Sequence, residues 1–344
     1  MTPPMPPMPS ALQRLTRALH KEWFLVGMIA AVVLASVFPD LGRSGGLLHG
    51  DRVADAGIAV VFFLHGLGIS LAAFRNGLSR WKVHLVVQLC TFAVFPLVGL
   101  AAYALVGRWL PAGLTLGFCY LCALPSTLSS SVAMTGLARG NVPAAIFNAT
   151  LSSLLGIVAT PLLVAAFTGV QGDGLPFMDS VIGLARLLLL PLVAGQLLRP
   201  VLHAWHTRHK RLTNLLDRGV ILLLVYTAFC DSVASGLWQH NGLAVLGIAF
   251  VGAAAFLGVI LALSTWVVRR CAFPIEDEIA AVFCGSKKTL ASGVPMAKLV
   301  FGAHPSLGLI LLPIMLYHQL QLFVCSLLAN RYARPGGGVR RHLA

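Results

Sequence analysis

The sequence predicts an all-α polytopic membrane protein: ten transmembrane helices forming two inverted five-helix repeats, with helices 4 and 9 broken and crossing. Three observations predict it. The 344 residues are 58% hydrophobic and 10% charged, with a mean hydropathy of +0.85, whereas a soluble domain carries about 25% charged residues. Too few polar side chains remain to cover a water-facing surface, so lipid is the expected solvent for much of the chain. Ten segments come near the ~20 mostly apolar residues that a span needs. Finally, TLSSSVAMTGLARGNVP (127–143) in the fourth segment returns as TLASGVPMAKLVFGAHP (289–305) in the ninth, eight of seventeen positions matching at a constant offset of 162 residues.

Residues 1–22 open Pro-rich and read as a cytoplasmic N-terminal tail. No cleavable leader is expected, because charges flank the first apolar run and no small-residue cleavage site follows it. The first five-helix repeat occupies 23–168, with spans near 23–39, 53–74, 83–107, 113–138 and 143–168. Residues 169–177 form an external connection. The second repeat occupies 178–330, with spans near 178–198, 219–236, 242–268, 277–301 and 306–330, and 331–344 form a cytoplasmic C-terminal tail. The connections on one side carry eighteen Lys and Arg, those on the other three. That bias places both termini in the cytoplasm. The formal charge of +14 is therefore a topology signal rather than a nucleic-acid footprint. The basic run HAWHTRHKR (203–211) reads as a cytoplasmic loop against lipid headgroups. Cys119 and Cys122 form a CxxC inside an apolar run, without a second pair, and read as small buried hydrophobes.

The repeat explains the polar composition of spans 4 and 9. Five spans per half is an odd number, so the halves enter the membrane in opposite directions, an architecture common among secondary transporters. Pro125 removes a backbone donor in span 4 and is expected to break it. Ser126, Thr127, Ser129, Ser130 and Ser131 are candidates to satisfy the freed groups or bind a ligand. In span 9 Gly285, Gly293 and Pro295 interrupt the helix, around Lys287, Lys288, Thr289 and Ser292. Irregular backbone at membrane depth persists only where it is buried or lines a cavity. Gene duplication with ordinary proline kinks is the plainer alternative; the hydroxyls present in both copies favour a binding site.

Other polar residues lie within spans. Asp231 is the acid placed well inside an apolar segment, a candidate partner for Lys287 or Lys288 or an outer-end residue reaching water. His65, and His318 with Gln319, read as packing residues, with His65, like Asp231, Gln88 and Thr91, also kept as a candidate for ion coupling or for supporting the site. Glu276, Asp277 and Glu278 open span 9, where acids complement the helix dipole. Lys298 and Arg186 read as snorkelling residues.

FFLHGLGISL (62–71), ALPSTLSSSVAMTGLARGNVPAAIFNAT (123–150) and FCGSKKTLASGVPMAKLVFG (283–302) resemble the bile acid:sodium symporter superfamily, closest to the branch with solute carrier family 10 member 7 and bacterial relatives. The resemblance covers roughly residues 20–332. It implies ten helices in a panel and a core domain, alternating access between them, and two sodium sites at the crossing. Where the family has a Ser-Asn pair, this chain has Ser130 and Ser131; Asn148 takes a position where a hydroxyl is usual. The family's helix-3 Gln, five residues before a Pro, corresponds to Thr91 before Pro96, with Gln88 one turn earlier. The helix-9 acid followed by Gln-Asn has no counterpart in CGSKKTL (284–290). A lysine ammonium beside a bound cation is costly at low dielectric, so a two-sodium symporter is not expected. One idea is that a lysine replaces the ion, either filling a cation site permanently or releasing a proton. Sodium near Ser130, Ser131 and Asn148, protons, or no coupling ion remain open. The expected function is secondary transport of a small organic anion through a cell membrane, a bacterial inner membrane in this reading. The alternative is a non-transporting regulator or scaffold derived from the same fold. With no HExxH and no nucleophile–base set, an enzyme is not expected. Membrane lipid is the other expected partner, no cofactor beyond Na+ or H+ is called for, and the oligomeric state is left open.

Overall fold

The computed structural model describes residues 23–43, 45–46, 49–68, 78–168, 182–183, 185–234, 243–302 and 304–334. Among the described residues every regular element is helical. The principal helices are α1 (Trp23–Val37), α2 (Gly50–Gly68), α3 (Trp81–Trp109), α4 (Ala112–Ala123), α5 (Ser129–Leu137), α6 (Val142–Thr168), α7 (Arg186–Arg208), α8 (Lys210–Ala234), α9 (Leu243–Arg270), α10 (Ile275–Gly285), α11 (Gly293–Phe301) and α12 (Leu307–Ala333). Six of them, α3, α6, α7, α8, α9 and α12, are long and apolar enough to cross a membrane, and α1, α2 and α4 contribute shorter apolar helices. The chain is a polytopic, all-helical membrane protein. The expected N-terminal tail and external connection, 1–22 and 169–177, lie outside the described residues.

Local sequence sets where these helices bend and stop. Within α3 and at the start of α7 the segments Cys90–Val94 and Ala185–Leu189 widen into a π turn. Each ends two residues before a proline, Pro96 and Pro191. A proline has no N–H to give and its ring crowds the carbonyl four residues back, and the wider turn relieves both. Leu124 precedes Pro125 and takes extended backbone (φ −69°, ψ 152°), which ends α4. At the start of α6, Asn141 Oδ1 accepts the Ala144 N–H at 3.0 Å and caps the first turn. Gly302 ends α11 at φ 57°, a backbone region that suits glycine.

The basic stretch 203–211 is helical on both sides of one turn rather than a loop: α7 runs to Arg208, His209 turns, and α8 begins at Lys210. No glycine or proline follows Pro200 in that stretch, so nothing local stops the helix. The C-terminal helix likewise runs on to Ala333, past the expected boundary at 330.

Two groups of helices emerge from the packing. α2 lies on α7, and α1 on α8. The α2–α7 contact is backbone to backbone: a Cβ on Gly66 would sit 2.2 Å from Leu192 O, and one on Gly195 2.2 Å from Phe63 O. Glycine permits this closeness, which matters where lipid supplies no hydrophobic drive between helices. The second group gathers round α4, α10 and α12, with α3, α5, α6 and α9 against them. Tyr120, Tyr317, Phe95 and Phe283 are fully buried there. α8 touches α12 and joins the groups. Outward faces stay apolar: Leu197 and Val201 on α7 are 75% and 77% exposed, as suits a lipid-facing surface.

Candidate functional site

The two intervals 124–128 and 286–292 interrupt the helices in the two copies of the repeated sequence, and the structure brings them together. Thr289 N–H donates to Pro125 O at 3.0 Å, tying one interruption to the other. Around them lies a buried polar centre. Ser126, Ser131, Asn148, Ser286, Lys287, Lys288 and Gln321 all have 0% exposure.

The first interruption contributes hydroxyls. Thr127 Oγ1 lies 2.7 Å from Ser130 Oγ and 2.9 Å from Ser131 Oγ. Ser126 Oγ donates to Cys284 O at 2.6 Å, and Ser131 Oγ to Phe283 O at 3.2 Å. Ser286 Oγ donates to Val282 O at 2.6 Å. Phe283 O and Cys284 O, at the carbonyl end of α10, are thereby capped by hydroxyls from the other interruption, while Val282 O also accepts the Ser286 N–H at 3.1 Å. Ser129 is exposed on the first turn of α5.

The second interruption contributes two ammonium groups. Lys288 Nζ donates to three main-chain carbonyls: Thr91 O at 2.9 Å, Cys122 O at 2.9 Å and Leu124 O at 2.5 Å. Its three N–H groups thus meet three acceptors, and the Phe95 ring centroid lies 4.0 Å away. Lys287 Nζ donates to Ser130 O at 2.9 Å. The main chain at Lys288 is clamped from α12, where Gln321 Oε1 accepts its N–H at 2.9 Å and Gln321 Nε2 donates to its carbonyl at 2.8 Å. Tyr317 OH donates to Ser286 O at 2.8 Å and Tyr120 OH to Gly293 O.

These contacts follow the repeat. At the 162-residue offset Ser126 corresponds to Lys288 and Cys122 to Cys284. Ser126 caps Cys284 O, and Lys288 caps Cys122 O. Corresponding side chains therefore cross to the carbonyl ends of the opposite broken helices, one as a hydroxyl and the other as a cation.

The remaining candidates fall as follows. Gln88 Nε2 lies 3.2 Å from Asn148 O and 3.4 Å from Asn148 Oδ1, so these two meet beside the centre. Thr91 takes part through its carbonyl; its hydroxyl donates to Val87 O at 2.9 Å. Thr289 Oγ1 lies 3.5 Å from Ser292 N at the start of α11. Pro125 packs on Gly156, where an added Cβ would lie 2.7 Å from its ring. Gly285 is the last residue of α10, and Gly293 and Pro295 lie in the first turn of α11. There proline's missing N–H has no intrahelical partner to lose. The structure does not gather every candidate. His65 pairs with Asp217 at 3.4 Å between α2 and α8. Asp231 lies on α8, while both lysine ammonium groups go to carbonyls. Nearby on α8 and α11, Lys298 Nζ donates to Thr227 Oγ1 at 2.8 Å. The acids opening α10 hold neighbours: Asp277 Oδ1 accepts from Asn141 Nδ2 at 2.7 Å and Oδ2 lies 3.4 Å from Arg80, while Glu278 lies 3.4 Å from Arg269. Sequence reasoning missed Gln321, Tyr120 and Tyr317; an amide in the middle of an apolar span was the available signal.

The polar groups at the centre are hydroxyls, amides, main-chain carbonyls and ammonium groups. Among the described residues no three His, Cys, Asp or Glu side chains gather as metal ligands. Such a set offers hydrogen-bond partners to ions and polar small molecules.

Helices interrupted at a shared, buried polar centre within a polytopic bundle define a membrane transport protein. The chain belongs to the SBF-like CPA transporter family, whose sequence model matches residues 22–334. It is 46% identical over 312 residues to "Uncharacterized protein PA2026" of Pseudomonas aeruginosa, covering 90% of this chain and 92% of that protein. It is 40% identical over 315 residues to "Putative symporter YfeH" of Escherichia coli (strain K12), covering 90% and 92%. It is 33% identical over 322 residues to Sodium/bile acid cotransporter 7 of Rattus norvegicus, covering 92% and 93%.

Proposed function

We propose that this protein is a non-enzymatic secondary transporter of a small organic anion, working by alternating access across a bacterial inner membrane with both termini in the cytoplasm. In this reading ten helices form two inverted repeats. The group of α1, α2, α7 and α8 acts as one body, and the helices round the polar centre act as the other. The observation that carries the reading is the reciprocal capping at the two interruptions, Ser126 on Cys284 O and Lys288 on Cys122 O. Interrupted helices that cap each other join two halves of a chain at one place, as substrate sites of repeat-built transporters require. The names of the relatives, a symporter and a sodium/bile acid cotransporter, support transport of an organic anion with an ion.

Coupling is the finer question. Ser130, Ser131 and Asn148 supply oxygen donors suited to one sodium ion, while Lys287 and Lys288 bring positive charge to the other interruption. One sodium, a proton or no ion are therefore the coupling modes retained. The lysines also favour a second reading, a membrane regulator of this fold that no longer transports.

The test is uptake by liposomes holding purified protein, with a bile acid and simple carboxylates and sulfonates as probes. It is run under an inward sodium gradient, a proton gradient, or neither. Saturable uptake of any probe above empty liposomes supports transport, and the gradient that raises it names the coupling ion. No uptake and no probe-induced thermal stabilisation across the set supports the regulator reading.

A further inference from the structure

The three carbonyls that hold Lys288 are free for separate local reasons. In the π turn of α3 the Phe95 N–H bonds to Cys90 O, five residues back. The next group in that register, which would serve Thr91 O, is the nitrogen of Pro96, which carries no hydrogen. The Ser126 N–H, which would continue α4 onto Cys122 O, instead donates to Ser152 Oγ at 2.9 Å. Leu124 O stands at the extended residue where α4 ends. Backbone from two helices thus converges as a cage of carbonyl oxygens beside the negative end of α4's dipole. The wall is aromatic, with Phe95 at 4.0 Å and Phe92 at 5.9 Å from Nζ. Carbonyl oxygens replacing a hydration shell are how proteins hold bare monovalent cations in membranes.

We propose that this cage is a monovalent-cation site whose occupant is built into the chain: the Lys288 ammonium replaces a bound ion, and shortening its side chain turns the cage into a site for a free small cation. The backbone is prepared for this role independently of the lysine. Gln321 fixes the main chain at residue 288, and Pro96, Ser152 and Pro125 free the three acceptors, so none of these groups needs the Lys288 side chain to stay in place. The repeat gives the comparison inside the same molecule. At the corresponding position Ser126 caps the opposite carbonyl end with a neutral hydroxyl. The proposal deepens the coupling part of the reading above but rests on the cage alone. Its thermal readout and the flux readout fail independently.

The test is thermal unfolding of detergent-purified wild type and Lys288→Ala in choline chloride, then with sodium, potassium or methylammonium chloride replacing choline at matched ionic strength. The expected result is a lower Tm for Lys288→Ala in choline and a saturable rise with at least one small cation. That rise is about 5 °C at about a hundredfold excess over the dissociation constant. Two controls should lack the cage response: wild type, and Lys288→Met, whose unbranched side chain keeps the cage plugged without charge. Lys288→Ser, which copies the corresponding Ser126, should respond as Lys288→Ala does. A Lys288→Ala protein that folds but shows no rise beyond those controls overturns the proposal. So does failure of both Lys288→Ala and Lys288→Ser to fold in every cation, because an emptied cation cage would have taken an ion from the medium.

Discussion

Gln321→Leu removes the clamp from α12 together with the contact of Gln321 Nε2 with His318 Nδ1 at 2.9 Å, and the clamp sets most of its cost. The side chain makes two hydrogen bonds to one residue of an unwound segment, accepting from Lys288 N–H at 2.9 Å and donating to Lys288 O at 2.8 Å. Both residues are fully buried, so neither orphaned group can turn to water. Each buried polar group left without a partner costs about 1–3 kcal/mol, which gives about 2–6 kcal/mol for the pair. Leucine nearly matches glutamine in volume, so the cavity contribution stays small. At about 2 °C per kcal/mol for a chain of this size, Tm should fall by about 4–12 °C. The control is Gln319→Leu, two residues away on the same helix, whose amide lies 3.4 Å from a thioether, Met28 Sδ, a weak acceptor. That change should cost under about 1 kcal/mol. Thermal unfolding of both variants in one detergent is the assay. If Gln321→Leu falls no further than Gln319→Leu, the unwound segment is held by something other than this clamp.

The other predictions use contacts of different kinds. Gly195→Ala places a Cβ 2.2 Å from Phe63 O, so α2 and α7 must separate, at a cost of about 1–3 kcal/mol read as a lower Tm. Gly258→Ala, with nothing within 4 Å of the new Cβ, should instead raise stability by up to about 1 kcal/mol through helix propensity. Asp277→Ala removes the acceptor of Asn141 Nδ2 at 2.7 Å and the contact with Arg80 at 3.4 Å. Arg80 is 52% exposed, so its share is small, and about 1–2 kcal/mol should be lost, mostly through Asn141. A thermal double-mutant cycle with Asn141→Ala should be clearly non-additive, whereas additivity would mean that the two side chains do not support one another.

The interruptions were legible because their causes are local. Pro125 forces Leu124 out of the helical region whatever surrounds it, and a mid-span run of hydroxyls marks backbone that needs outside partners. The repeat was legible because duplicated segments leave matching residues at one offset. The partners of the lysines were not legible. Charge complementarity pointed from Lys287 and Lys288 to Asp231, but the structure answers with main-chain carbonyls, and a carbonyl has no letter of its own. Whether one is free depends on where a neighbouring N–H goes, as with Ser126 N and Ser152 Oγ. Gln321 escaped for a related reason: its role is set by an unwound segment 33 residues away in the chain. Basic composition alone does not distinguish a loop from the helical stretch about His209, because basic residues sit comfortably at the ends of long helices.

The Ser126–Lys288 correspondence bears on how such a centre balances charge. A helix that stops inside a membrane leaves a partial negative charge of about half an electron at its carbonyl end. Here two such ends, those of α4 and α10, lie close together in an environment that screens them poorly. Hydroxyls satisfy the α10 end as hydrogen-bond donors but bring no net charge. An ammonium at the α4 end satisfies three acceptors and also opposes the combined field of both ends. A mobile ion could do the same only while bound, and its departure would leave bare carbonyls facing each other. In the cycle proposed above, a tethered cation removes that cost and with it one source of ionic driving force. If the protein transports as proposed, the ions it couples should therefore be fewer than the cation positions its two interruptions create, which the ion-to-substrate stoichiometry of liposome uptake would check.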